Sequence, residues 1–277
     1  MHIRIKIIGF LLTVSSAFTT NNAAANNKPL WEIGVGAGGV SQSYYIGSNQ
    51  QRNMAFPVIF PVYRGDFFKS DNNGLRAELI KNPLYKLDLS FDFNFAIKSD
   101  EIELRRGMSD IGNLLQVGPS LEITLKKDKS QWLQMNFPTR AAITIEDGSF
   151  DYSGYIFSPG LSYLRYFSIA KKPLRLGLYS ELKFGSADYH DIYYGVDEQF
   201  ATANRPRYMT SSGYSGYRLT ASLTYKSKKQ LFSLFTRYDN ISDAVFNDSP
   251  LVETDDNFTT GFLFAYYIFK SKALASN

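Results

Sequence analysis

Tyr85-Lys86-Leu87-Asp88-Leu89-Ser90-Phe91-Asp92-Phe93-Asn94-Phe95-Ala96-Ile97-Lys98 alternates apolar with polar side chains, and Ala96 is its one break. A period of two sustained this long fits a β-strand and not a helix, whose faces repeat every 3.6 residues. Strands in soluble domains average about five or six residues. A longer one, apolar on one face and charged on the other, matches a tilted strand crossing a bilayer. The Leu and Phe stripe then meets lipid. Lys86, Asp88, Asp92 and Lys98 turn inward.

The same alternation recurs along the chain. Leu115, Val117, Leu121, Ile123 and Leu125 oppose Gln116, Ser120, Glu122 and Thr124. Leu133, Met135, Phe137, Ala141, Ile143 and Ile145 oppose Gln134, Asn136, Arg140, Thr144 and Glu146. Leu174, Leu176, Leu178, Leu182 and Phe184 oppose Arg175, Glu181 and Lys183, and Tyr217, Leu219, Ala221, Leu223 and Tyr225 oppose Arg218, Thr220, Ser222 and Thr224. No stretch carries a helical period. A soluble β-sandwich also alternates. Strand length, with 19 Tyr and 22 Phe, favours the membrane barrel.

Composition narrows the chemistry. A net charge of +4 is slight for a nucleic-acid binder, and the absence of cysteine excludes disulfides and thiolate metal sites. Only His2 and His190 are histidines, so no multi-histidine metal site is expected. Residues 1–25 read as a cleaved secretory signal peptide. Arg4 and Lys6 precede a short apolar core, and Ala23-Ala24-Ala25 supplies the small residues of a cleavage site. Residues 26–277 then form one barrel domain in the outer membrane.

Two kinds of connection separate the strands. Tight ones fall at Lys81-Asn82-Pro83, Lys126-Lys127-Asp128-Lys129, Lys171-Lys172-Pro173 and Ser227-Lys228-Lys229. Longer ones fall near 41–52, 99–112, 146–151, 187–213 and 242–256. Outer-membrane barrels keep short turns in the periplasm and long loops outside, so the lysine-rich turns make a periplasmic rim. Parity then requires about twelve strands, counting a short upward one at Asp66–Lys69 that turns at Asp71-Asn72-Asn73-Gly74. Merging that strand lowers the count to ten or demands another strand near Asp191–Tyr194. The expected class is therefore all-β, an antiparallel transmembrane β-barrel.

Three motifs invite chemistry. Gly34-Val35-Gly36-Ala37-Gly38-Gly39 matches a dinucleotide fingerprint, but that site needs a helix after the loop, and none is indicated. Strand glycines more simply make room for a neighbouring bulky group. Gly213-Tyr214-Ser215-Gly216 resembles a nucleophile elbow, with Tyr217 where its last glycine belongs. His190 is the one histidine able to serve as a base, with Asp188 or Asp191 to orient it. Local sequence sets no serine beside it, and a solvated rim histidine is the simpler expectation. The inward charges (also Glu122, Arg140, Glu146, Arg175, Glu181, Lys183, Arg218, Arg237 and Asp239) mix both signs, which points to a self-paired lumen rather than a one-sign pore.

Several short words occur in a fixed order: Tyr45-Ile46-Gly47-Ser48, Pro61-Val62-Tyr63-Arg64-Gly65-Asp66, Pro138-Thr139-Arg140, Tyr193-Tyr194-Gly195-Val196 and Arg205-Pro206-Arg207-Tyr208. Arg237-Tyr238-Asp239 and Asp248-Ser249-Pro250-Leu251-Val252 follow. In this order the chain resembles the MipA/OmpV family of outer-membrane proteins, the MltA-interacting proteins. One departure is that Lys270–Asn277 follows Phe269, where the family stops at a terminal aromatic. The resemblance implies a non-enzymatic barrel without cofactor, a scaffold between a lytic transglycosylase and a murein synthase. Other members are described as porin-like, osmoregulated or adhesive. The candidate positions it marks are Tyr63, Arg64, Gly65, Asp66, Tyr194, Gly195, Arg205, Pro206, Arg237, Asp239, Asp248, Ser249 and Pro250. The candidate docking rim is Lys126, Lys127, Lys129, Lys171, Lys172, Lys228 and Lys229. A passive channel and a His190-dependent hydrolase are the competing readings.

Overall fold

The computed structural model describes residues 29–65, 68–71, 74–146 and 148–275. Its strands are β1 (Trp31–Ser43), β2 (Gln51–Arg64), β3 (Phe68–Asp71), β4 (Gly74–Lys81), β5 (Tyr85–Asn94), β6 (Asn113–Lys127) and β7 (Gln131–Glu146). They continue with β8 (Ser149–Phe157), β9 (Gly160–Ile169), β10 (Lys172–Gly185), β11 (Gly213–Lys226), β12 (Gln230–Asn240) and β13 (Asp256–Lys270). All pairings are antiparallel, and β13 returns to pair with β1 from Glu32↔Lys270 to Ser41↔Thr260, so the sheet closes on itself. Closure pairs the wall strands with their neighbours, as lipid requires, and the β2–β3 junction is the shortest, with Tyr63↔Ser70 and Arg64↔Lys69 as its pairs among the described residues.

The thirteen segments make twelve staves, because β8 and β9 share one. Along β7, β8 pairs from Glu146↔Ser149 to Thr139↔Phe157, and β9 takes over from Asn136↔Gly160 to Gln131↔Arg165. The break falls at Ser158–Pro159, where proline offers no N–H to the ladder. Beyond Phe269 the chain lengthens the closing seam: Leu30 N donates to Ala273 O at 2.8 Å and Ser271 N to Trp31 O at 2.9 Å.

Alternation sorts the wall as expected. Lys86 and Asp88 are buried inside while Tyr85 is exposed outside. Around the barrel, Val35, Ile59, Leu121, Met135, Leu178, Leu219, Leu234 and Phe264 expose an apolar exterior. This is an outer-membrane-type barrel. The glycine-rich run lies in β1 and opens no helix. A Cβ on Gly36 would sit 1.8 Å from the carbonyl oxygen of Phe264 on β13, and one on Gly38 would sit 2.8 Å from the Phe56 ring. Tight seam packing therefore accounts for those glycines.

Several expectations need correction. The short third strand is Phe68–Asp71 rather than Asp66–Lys69, and Asp66 lies outside the described residues, as does the signal segment. The 146–151 connection is a two-residue turn between paired Glu146 and Ser149, with Gly148 at φ 85°. The β5 strand stops at Asn94, so Ile97 is buried among loops and Lys98 is exposed rather than inward. Glu146 is likewise exposed at a strand end. A helix, α1 (Ala187–Tyr194), stands where an extra strand was the alternative. Ser186 caps it, its Oγ accepting from Tyr189 N at 3.3 Å.

Phe91 on β5 lies opposite Val117 of β6, in the half of the stave nearer the cap. Phe91→Arg is expected to cost roughly 1–4 kcal/mol, according to its depth in the bilayer, whereas Phe91→Leu is expected to be tolerated. Urea titration in detergent, read as loss of the fast-migrating unheated band on gels, measures both. Equal midpoints for the two variants would contradict a lipid-facing Phe91.

Candidate functional site

Four long connections fold together over one end of the barrel. They are 44–50, 95–112, 186–212 and 241–255. Their apolar side chains form one buried cluster: Tyr45 from the first, Ile97, Ile102 and Ile111 from the second, Tyr194 from the third, and Ile241, Ala244 and Phe246 from the last. Phe246 stacks on Tyr194 with ring centroids 3.7 Å apart. Polar bonds cross between loops: Tyr45 Oη donates to Leu251 O at 2.6 Å, Tyr194 Oη to Ile46 O at 2.8 Å, and Ser249 Oγ to Tyr194 O at 2.7 Å. Arg205 Nη1 donates to Leu104 O at 2.6 Å. The long loops are thus a cap, with its own core.

Most family-motif residues have architectural partners. Tyr194, Arg205 and Ser249 hold the cap, and Asp248 accepts from the Tyr208 hydroxyl. Gly195 follows α1 as its C-cap, and a Cβ there would meet the Asp191 carboxylate at 2.5 Å. Pro206 and Pro250 lie in the cap loops. Arg64 pairs with Glu32 and donates to Pro29 O at 2.7 Å, fastening the β1–β2 end near the termini, and Tyr63 beside it is exposed. A Cβ on Gly65 would meet the Tyr63 ring at 2.5 Å.

His190 differs most from expectation. It sits on α1, 1% exposed, with its ring edge-on to Phe246 at 4.7 Å. Nδ1 lies 2.7 Å from the Ser211 carbonyl, which can only accept, so Nδ1 carries the proton. Nε2 then accepts from Ser215 Oγ at 2.7 Å. Sequence reasoning missed Ser215 as the partner because a bulge aims it. The β10–β11 register shifts between Leu182 and Phe184, and Gly213 and Gly216 stand at φ 153° and 101°. The elbow-like run is this bulge. Neither expected carboxylate orients the imidazole: Asp191 Oδ1 instead accepts from Thr210 Oγ1 at 2.9 Å, and Asp188 is exposed. Burial pushes the His190 pKa below its ordinary value.

Below the cap, inward charges pair across staves. Arg218 Nε donates to Asp239 Oδ1 at 2.6 Å, Arg237 Nε meets Asp239 Oδ2 at 2.9 Å, and Arg218 Nη1 reaches Glu181 at 3.3 Å. These groups border a partly enclosed cavity of about 290 Å³ in the cap half of the lumen. The other half is filled. Val58, Val62, Leu231, Leu263, Ala265 and Tyr267 pack on one wall and Trp132 with Leu164 on the opposite one. Lys86 joins Asp88 and Glu122 there, and Arg175 Nη2 donates to Thr224 Oγ1 at 3.3 Å. None of these side chains lines the cavity.

At that filled end the turns are short and basic. Lys126, Lys127, Lys129, Lys171, Lys172, Lys228 and Lys229 are all exposed. Ile169 and Lys172 are joined by Ala170 and Lys171, both at positive φ (51° and 63°). Asp128 Oδ1 accepts from Ser130 N at 2.8 Å and Gln131 N at 3.0 Å, which fixes its turn and holds its carboxyl well below the usual range. Lys127 lies over the Trp132 ring at 4.5 Å.

A model of the family described as MltA-interacting protein MipA matches residues 34–268. No curated protein matches. Among solved structures the chain is similar to one described as a bacterial polysaccharide outer membrane secretin, at 6% identity and TM-score 0.44, covering 88% of this chain and 99% of that one. It is also similar to the NanC porin (9% identity, TM-score 0.38, 87% and 100% covered). A third is OmpT, an outer membrane protein of Vibrio cholerae (8% identity, TM-score 0.38, 87% and 100% covered).

The His190 contacts carry a pH dependence. With its folded pKa below the unfolded value of 6.5, the neutral imidazole supports the fold above that value. Support is lost as pH falls through the folded pKa, because the unfolded chain takes the proton first. The urea midpoint of the wild type is therefore expected to drop between about pH 7 and 5, and His190→Gln to flatten that drop. Parallel pH profiles for the two proteins would contradict the assignment.

Proposed function

We propose that this chain, which belongs to the MltA-interacting protein MipA family, is an outer-membrane barrel that docks a lytic transglycosylase on its periplasmic rim. A murein synthase is the second partner in this reading. The observation that carries it is the rim: seven exposed lysines on three two- to three-residue turns and the strand ends beside them, at one end of the wall. Such a predominantly basic arc favours an acidic partner surface and speeds encounter. The filled half of the lumen supports a role exercised at the surface rather than by passage through the barrel. For His190 and Ser215 we propose a structural tie between α1 and β11. The imidazole is oriented by a backbone carbonyl and Ser215 is 7% exposed, so the pair has neither the carboxylate nor the open approach of an acyl-transfer site.

Binding of detergent-purified protein to a purified periplasmic lytic transglycosylase tests the docking. Reversing Lys126, Lys127 and Lys129 to Glu, together with Lys171→Glu and Lys172→Glu, is expected to weaken it by roughly tenfold or more, and added salt to weaken the wild type. An absence of binding by the wild type, or equal affinity of the reversed variant, would overturn this reading.

A further inference from the structure

The cavity beneath α1 holds more cations than its own carboxylates neutralise. Arg218 and Arg237 share Asp239 and Glu181 as described above, and Asp92 is the remaining acid in the lining. Arg52 of β2, Arg140 of β7 and Lys183 of β10 also line it. Among the described residues none of these three makes an ion pair within 4 Å, although Glu101 acts on Arg52, and Asp239 and Glu181 on Lys183, over longer distances. Arg140 makes one bond, from Nε to Ser90 Oγ at 3.0 Å. Arg52 lies over the Tyr44 ring at 5.4 Å, and its Nε is buried without an acceptor. Among the described residues the lining thus carries five cationic and three anionic side chains, an excess of two positive charges. Removing such groups from bulk water is costly unless an anion compensates them.

The three cations come from separate parts of the wall and face one space, which α1 roofs with Tyr189 and Tyr193. We propose that this cavity binds a small organic oxyanion, a monosaccharide-sized solute bearing a carboxylate or a phosphate. Guanidinium groups match the geometry of either oxyanion, and an ammonium adds a point charge. A volume of about 290 Å³ limits the occupant to a small molecule. Burial pushes the Tyr189 phenol up to about 12, so it stays a hydrogen-bond donor at neutral pH. The aromatic lining suits a sugar-like body beside the charged group. Because the packed half of the lumen lies beneath, the solute is held rather than passed on. This site is independent of docking at the rim.

Isothermal titration of the full-length protein in nonionic detergent and low-chloride buffer tests the site, with gluconate, glucose 6-phosphate and neutral glucose as probes. Saturable binding of one or both anions is expected, and none of glucose. The anion that binds tells carboxylate from phosphate. Lys183→Met and Arg140→Gln are each expected to weaken binding by roughly tenfold or more. Lys183→Met is also expected to raise the urea midpoint of the unliganded protein, a shift that a fold-supporting lysine would not give. The proposal is overturned if neither anion binds, if glucose binds equally, or if both variants keep wild-type affinity while migrating as folded barrels.

Discussion

Backbone hydrogen bonds have no water to fall back on inside a bilayer, and every other feature of this barrel follows from closing the sheet. The seam between β1 and β13 is where closure is achieved. Its glycines let the two backbones approach, with the Phe264 carbonyl occupying the space a Cβ on Gly36 would need. Residues beyond Phe269 prolong the same seam through Ala273 and Ser271. Once the ring is closed, side chains can point only to lipid or to the lumen. That dichotomy writes the alternation of β5, where Leu87, Leu89 and Phe91 face out and Lys86 and Asp88 face in.

A twelve-stave barrel is wider than the eight-stranded kind that side chains fill with ease. Here the interior is divided. Apolar clusters with a few ion pairs occupy the short-turn half, and the charged cavity occupies the half under the cap. The cap is rigidified by an apolar core drawn from four loops, with His190 and Ser215 tying its helix to the β11 bulge. Burying Asp239 between two arginines links β11 to β12 and Glu181 links β10 to the same network. Breaking such a network from one side strands a buried charge, so it fixes the wall more firmly than surface pairs would.

Strand periodicity made most of the wall legible in advance, from β5 through β13, and parity of turns gave the number of staves. The short β3 starts two residues later than its sequence suggests, because four residues carry too little pattern to set bounds. The β2 run, Met54 to Tyr63, is apolar on both faces, since one face meets lipid and the other packs with Leu231 and Leu263 inside the barrel. Period-two reading therefore could not reveal the filled half of the lumen. The helix α1 is a short element whose burial depends on loops distant in sequence, so no local period announced it. A bulge, a tertiary feature, directs Ser215 to His190, so local sequence does not pair them. The lysine turns, by contrast, depend on local spacing and were plain from the start.

The rim and the capped cavity are the proposed working parts of this barrel, and buried side chains occupy the lumen between them. Planar-bilayer recording with folded, heat-modifiable protein tests that most directly. A membrane that stays silent after insertion is the predicted result. Steady unitary conductance from the wild type would contradict it.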